Sequence, residues 1–153
     1  RHSDIKRTSG GVWYFDLVHE PTGEYPHPLK QGKANIRQIP MHPLLIERGF
    51  LSLVDAKREG YVFPNEKNDL ISQWFKYVLK RLNIWEFRIT ALHSFRGTWI
   101  DLMREARVDE DIRRAFVGHS TGTSHDRNYG ENLRRSPEIL LEAVTKVDLS
   151  WLS

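Results

Sequence analysis

His93 and Arg96 stand three residues apart in the stretch HSFRGTWIDL, where an amphipathic pattern begins. Positions i and i+3 are neighbours on one face of a helix, so the imidazole and the guanidinium can aim at one target while Trp99, Leu102 and Met103 turn towards a core. A hydrogen-bonding ring beside a permanent cation points to an anion as that target. Every lysine-or-arginine position from Arg88 to Arg135 is an arginine, whose planar fork suits phosphate oxygens better than the point charge of lysine. The same arginines would also serve on solvated faces, paired with Glu105, Asp109, Glu110 and Asp111.

Something must hold these groups. The first third of the chain reads as β: VWYFDLV (Val12 to Val18) and IRQIPM (Ile36 to Met41) are β-branched and aromatic runs, joined by a polar stretch rich in Pro, Gly and Lys, and together they predict a long hairpin. Pro40 and Pro43 end the second strand, and HPLLIERGFLSLVDAKREG is expected to be a helix entered through Pro43, with Gly49 interrupting it. From Asn68 to Leu82, apolar residues at Leu70, Ile71, Trp74, Phe75, Val78, Leu79 and Leu82 keep a helical period behind an Asn-Asp cap. After a loop comes the helix that opens at His93. Then follow a short helix through DEDIRRAFVG ended by Gly118, a Ser/Thr/Gly-rich loop to Tyr129, and a last helix from Ser136-Pro137-Glu138. Ile139, Leu140, Ala143, Val144 and Val147 form its apolar face. The expected fold is α+β, one mainly helical domain over residues 1–153 with a small antiparallel sheet at one edge.

At 153 residues, 39% hydrophobic and 28% charged, the chain has the size and composition of a single soluble domain. The absence of cysteine excludes disulfides, thiolate zinc sites and cysteine nucleophiles, and fits a cytoplasmic setting. No stretch approaches the roughly 18 apolar residues of a membrane span, so no membrane partner is expected. The net charge of +3 is too small to identify a nucleic-acid partner by itself.

Four pieces occur in order: Lys30 and Lys33 in the hairpin connection, HSFR at 93–96, VGHS at 117–120, and Tyr129, ten residues after His119. With SDI before the first strand and IPMHP after the second, this series resembles the C-terminal part of the catalytic domain of the tyrosine recombinases, the phage integrase family. The resemblance implies a site-specific recombinase that cleaves and rejoins double-stranded DNA, acts as a homo-oligomer, a tetramer on DNA, and serves the integration or excision of a mobile element. It implies Tyr129 as the nucleophile that forms a 3′-phosphotyrosyl link. Arg96 would neutralise a non-bridging phosphate oxygen, while His93 and His119 would hydrogen-bond the same phosphate or assist proton transfer. A hairpin lysine, Lys33 or alternatively Lys30, would protonate the leaving 5′-oxygen, since an ammonium can lose a proton and a guanidinium practically cannot. No cofactor and no metal are implied, because the covalent link conserves the phosphodiester energy.

The sequence departs from the family pattern in two respects. Gly97 follows the HxxR arginine where relatives often carry histidine. The family also places a further catalytic arginine on a helix before the SDI segment, whereas the chain begins RHSDI, so the chain alone is expected to be inactive; Arg1 matches a non-catalytic position. Other readings stay open at this stage: a type IB topoisomerase-like enzyme with the same chemistry, a non-catalytic DNA-binding remnant, and a metal site of His93, His119 and His125. Taken singly, Tyr129 reads as a surface residue, His119 as a helix cap, Arg96 as a partner of Asp101 or Glu105, and the two lysines as loop charges.

Overall fold

The structure is a computed structural model describing residues 1–24, 26, 29, 35–54, 59–63, 68–87, 92–119 and 132–152, the side chains at 68, 69 and 152 excepted. It has the expected α+β architecture, with one difference in the sheet. A strand before the predicted pair, β1 (Ile5–Arg7), lies against β2 (Trp13–Leu17), which pairs in turn with β3 (Arg37–Pro40). Both pairings are antiparallel, with Ile5 opposite Phe15 and Phe15 opposite Ile39. β1 follows from the turn that closes it: Gly11 at φ 90° donates to the Thr8 carbonyl at 3.0 Å, and the Thr8 hydroxyl accepts from the Val12 amide at 3.2 Å. Because opposed residues share a face, Lys6 and Tyr14 lie together, and Lys6 Nζ reaches the buried carboxylate of Asp16 at 2.5 Å.

After β3, His42 caps α1 (Pro43–Glu47) by accepting from the Leu44 amide on Nδ1 at 3.1 Å. The long helix expected from Pro43 onward is broken. Gly49, at φ 82°, ends it in a left-handed residue, and only a single 3₁₀ turn, Phe50–Leu53, follows before Val54 becomes extended. Phe50 from that turn packs edge-on against Phe15 with ring centroids 5.6 Å apart.

The next helix, α2 (Asn68–Arg81), has the predicted extent, with Asn68 as its first residue rather than its cap. Asn83, at φ 57°, closes it in the left-handed manner typical of helix ends. Its apolar stripe is only partly covered: Leu79 is buried, whereas Leu70, Ile71 and Trp74 are 48%, 56% and 64% exposed.

The core belongs to the last three helices, α3 (Ser94–Glu105), α4 (Glu110–Val117) and α5 (Pro137–Val144). Met103, Val108, Val117, Ala143, Val144 and Val147 form its centre, with Trp99, Ile100, Leu102 and Phe116 packed around it. Leu140 is fully buried in a second cluster with Ala115 and Leu133. Ile139, expected on the buried face of α5, is 48% exposed. Arg107 turns the chain left-handed at φ 55°, and the Asp109 carboxylate then caps α4 by accepting from the Asp111 amide at 2.8 Å. β3 contacts both α4 and α5, so the edge strand is what fixes the sheet to the helical body. No described helix is long and apolar enough to cross a membrane.

Candidate anion-binding site

The C-terminal end of α4 is where charged groups gather. Gly118 ends the helix at φ 77°, its amide donating to the Arg114 carbonyl at 2.8 Å, and the His119 amide reaches the same carbonyl at 3.0 Å. The backbone of His119 thus does the capping, and its ring is exposed. The last carbonyls of this turn hold two arginines from distant parts of the chain. Arg37 Nε donates to the Phe116 carbonyl at 3.2 Å, and Arg134 donates through Nη2 to the His119 carbonyl at 2.7 Å. Guanidinium groups are favoured here because the end of a helix carries partial negative charge. Arg37 lies so close that a Cβ added to Gly118 would stand 2.8 Å from its Nη1, so the glycine serves both the left-handed turn and the approach of the guanidinium.

Arg96 joins this group from the first turn of α3. Asp101, its proposed salt-bridge partner, is paired instead with Arg104 at 2.8 Å, and among the described residues Arg96 has no ion pair or side-chain hydrogen bond. The electrostatics record how near it lies to the others. Burial first, and then the charges of Arg96 and Arg134, push the Arg37 guanidinium below its ordinary pKa. Desolvation, followed by the charges of Arg96 and Arg114, lowers His119 below the usual histidine range. Among the described residues, no carboxylate figures among the charges acting on either group. Arg114 is paired with Glu110 at 2.6 Å, and the positive charge that Arg37 and Arg96 add beside it favours an incoming anion. Helix capping accounts for Arg37 and Arg134 but leaves Arg96 unexplained.

Of the residues singled out in the sequence, Arg96 and His119 come together. His93 occupies the cap position of α3 with its side chain exposed, and makes no side-chain hydrogen bond among the described residues. Tyr129, Lys30 and Lys33 lie outside the described residues, as does His125. Arg1 is held by Asp4 through two contacts, Nε at 2.9 Å and Nη2 at 2.7 Å, and by Glu20, in keeping with a structural role. No group of three or more metal-ligating side chains occurs among the described residues.

Arg37 and Arg134 were not legible as site residues. Arg37 is 59 positions from Arg96, and only the docking of β3 on α4 brings the two together. One signal was present: an arginine opening the otherwise uncharged run RQIP, on a strand that is partly buried along its length. Compared with family models, curated proteins and solved structures, the chain matches none of them.

Proposed function

We propose that the chain is the C-terminal portion of a tyrosine recombinase catalytic domain, a DNA breaking and rejoining enzyme of the integrase type. The observation that carries this reading is the convergence of Arg37, Arg96 and Arg134 at the end of α4 beside His119, with no carboxylate among the described residues acting on Arg37 or His119. A phosphodiester carries one negative charge that shifts and grows on its non-bridging oxygens when the phosphorus is attacked, and fixed donors aimed at that charge are the main catalytic resource in such reactions.

In the proposed reaction the Tyr129 hydroxyl attacks phosphorus, a new oxygen–phosphorus bond forms, and the bond to the 5′-oxygen breaks. Lys33, or Lys30 in its place, gives a proton to that leaving oxygen, and attack by a 5′-hydroxyl later reverses the step. Arg96 holds a non-bridging oxygen, with Arg37 and Arg134 supplying further positive field. His119, whose surroundings favour its neutral form, can hydrogen-bond the phosphate or take the tyrosine proton. His93, exposed at the start of α3, would hydrogen-bond the same phosphate only on DNA binding. Double-stranded DNA is the substrate, assembly is as a homo-oligomer, and a DNA substrate together with the absence of cysteine fits work in the cytoplasm.

The test is covalent trapping on a nicked duplex that cannot be religated, using the protein with the upstream region that this reading calls for. Tyr129→Phe should abolish the adduct and leave DNA binding nearly intact. Arg96→Ala should slow adduct formation about 100- to 1000-fold, as loss of one preorganised donor typically does. An adduct that survives Tyr129→Phe would sink the assignment. The 153-residue chain alone should form little adduct.

A further inference from the structure

Positive charge extends past His119 into a cavity of about 200 Å³ between α3 and α4, lined by Ile100, Arg104, Glu110, Arg113, Arg114 and His119. Glu110, Arg113 and Arg114 reach it together because positions i, i+3 and i+4 share a face of α4. The volume is below the roughly 300–1,000 Å³ of sites for drug-sized molecules, and suits a small polar group. Among the described residues Glu110 is the one acid in the lining and Asp101 pairs with the lining Arg104, so both are already engaged. Glu110 Oε1 lies 2.6 Å from Arg114 Nη2, and Asp101 Oδ1 lies 2.8 Å from Arg104 Nη1. Arg113 is different: its Nε is buried and has no hydrogen-bond partner. Arg113 also lines the cavity and has no ion pair among the described residues, so its charge favours an anion there.

We propose that this cavity is a second phosphate-binding site, built by Arg113, Arg104 and Arg114 and separate from the Arg96 centre, with which it shares His119 and the charge of Arg114. The group it takes is a phosphate, either a backbone phosphodiester of bound nucleic acid or a free phosphate ion. The backbone form rests on the DNA reading above, and the free form does not. A bidentate guanidinium contact is the chemistry that recognises either one.

The test follows the arginine Nε–H signals of the labelled chain by NMR during titration with inorganic phosphate. Arg113 Nε–H should shift saturably, and the shift should persist in Arg96→Ala. Arg113→Gln should remove the response of Arg114 and leave that of Arg96. Absence of a saturable shift at Arg113, or its disappearance in Arg96→Ala, would overturn the proposal. Arg104→Gln keeps the test if Arg113→Gln does not fold, since the Arg104 side chain is 62% exposed; it should weaken phosphate binding at Arg113 several-fold, and unchanged binding would count against the site. A second arm measures affinity for a short DNA duplex against salt. A slope about one unit shallower in Arg113→Gln identifies a backbone phosphate as the occupant, whereas an unchanged slope, with saturable phosphate binding in the unsubstituted chain, assigns the site to the free ion. Failure of DNA cleavage leaves the phosphate titration untouched, so the two readings fail separately.

Discussion

His119 is the residue on which the local electrostatics bear most directly. Desolvation and the guanidinium groups of Arg96 and Arg114 disfavour its charged form. The folded protein therefore binds this proton less readily than the unfolded chain, whose histidine titrates near 6.5. The stability linked to this group is fully present above that value and is lost as pH falls through it towards the lowered folded value. An NMR titration of the His119 ring should give a midpoint below 6.5, and Arg96→Ala should move it upward by removing one of the two repelling charges. Addition of phosphate or DNA should also raise it, because an anion reverses the sign of the local field. A midpoint at or above the ordinary histidine value would show that the arginines do not surround this ring as described. Arg96 itself was legible in the sequence because its helical spacing from His93 is local information. Arg37 was not, since its part in the site depends on tertiary contact.

Among the elements, α4 and its terminal glycine show how the fold builds the site. Substituting Gly118 with alanine imposes a left-handed conformation at φ 77° on a residue with a Cβ, and drives that Cβ against Arg37. The backbone strain alone costs about 1–2 kcal/mol. Gly118→Ala should therefore lower the free energy of unfolding by at least about 1 kcal/mol in urea denaturation and shift the NMR signals of Arg37 and His119 together. A neutral substitution would mean that the turn has another geometry. α4 was legible from sequence because its Asp109 cap and Gly118 stop are both local signals. β1 was not, being three residues with two cations, Ile5-Lys6-Arg7, and recognisable mainly from the TSGG turn that follows. Gly49 outweighed the apolar run on both sides of it, which is why the predicted long helix became α1 and a 3₁₀ turn.

At the scale of the whole molecule, the net charge of +3 says less than its placement. If Arg37 contacts phosphate, Arg37→Gln should make the dependence of log affinity on log salt shallower by about 0.9 in a duplex-binding assay. If Arg37 only caps α4, the variant should lose thermal stability and keep the wild-type slope. The three core helices and β3 form a mutually packed unit, and the site is built at their junction.

α2 stands outside that unit. Among the described elements it has no extensive contact with another, and its links there include the buried Leu79 and the ring of Phe75, whose centroid is 5.2 Å from that of Phe95 in α3. A helix of 14 residues is marginal in water without packing, so α2 should open in a sub-global event of its own, well below the free energy of global unfolding. Native-state hydrogen exchange should find the amides of residues 74–81 exchanging faster than those of residues 100–105, with an opening free energy that barely changes in a variant such as Gly118→Ala. Phe95 immediately precedes Arg96, so each opening of α2 removes an aromatic support beside a guanidinium that has no ion pair among the described residues. The lifetime of the α2 helix would then set how long Arg96 stays in position, making the anion site a dynamic property of a helix that contributes no residue to it.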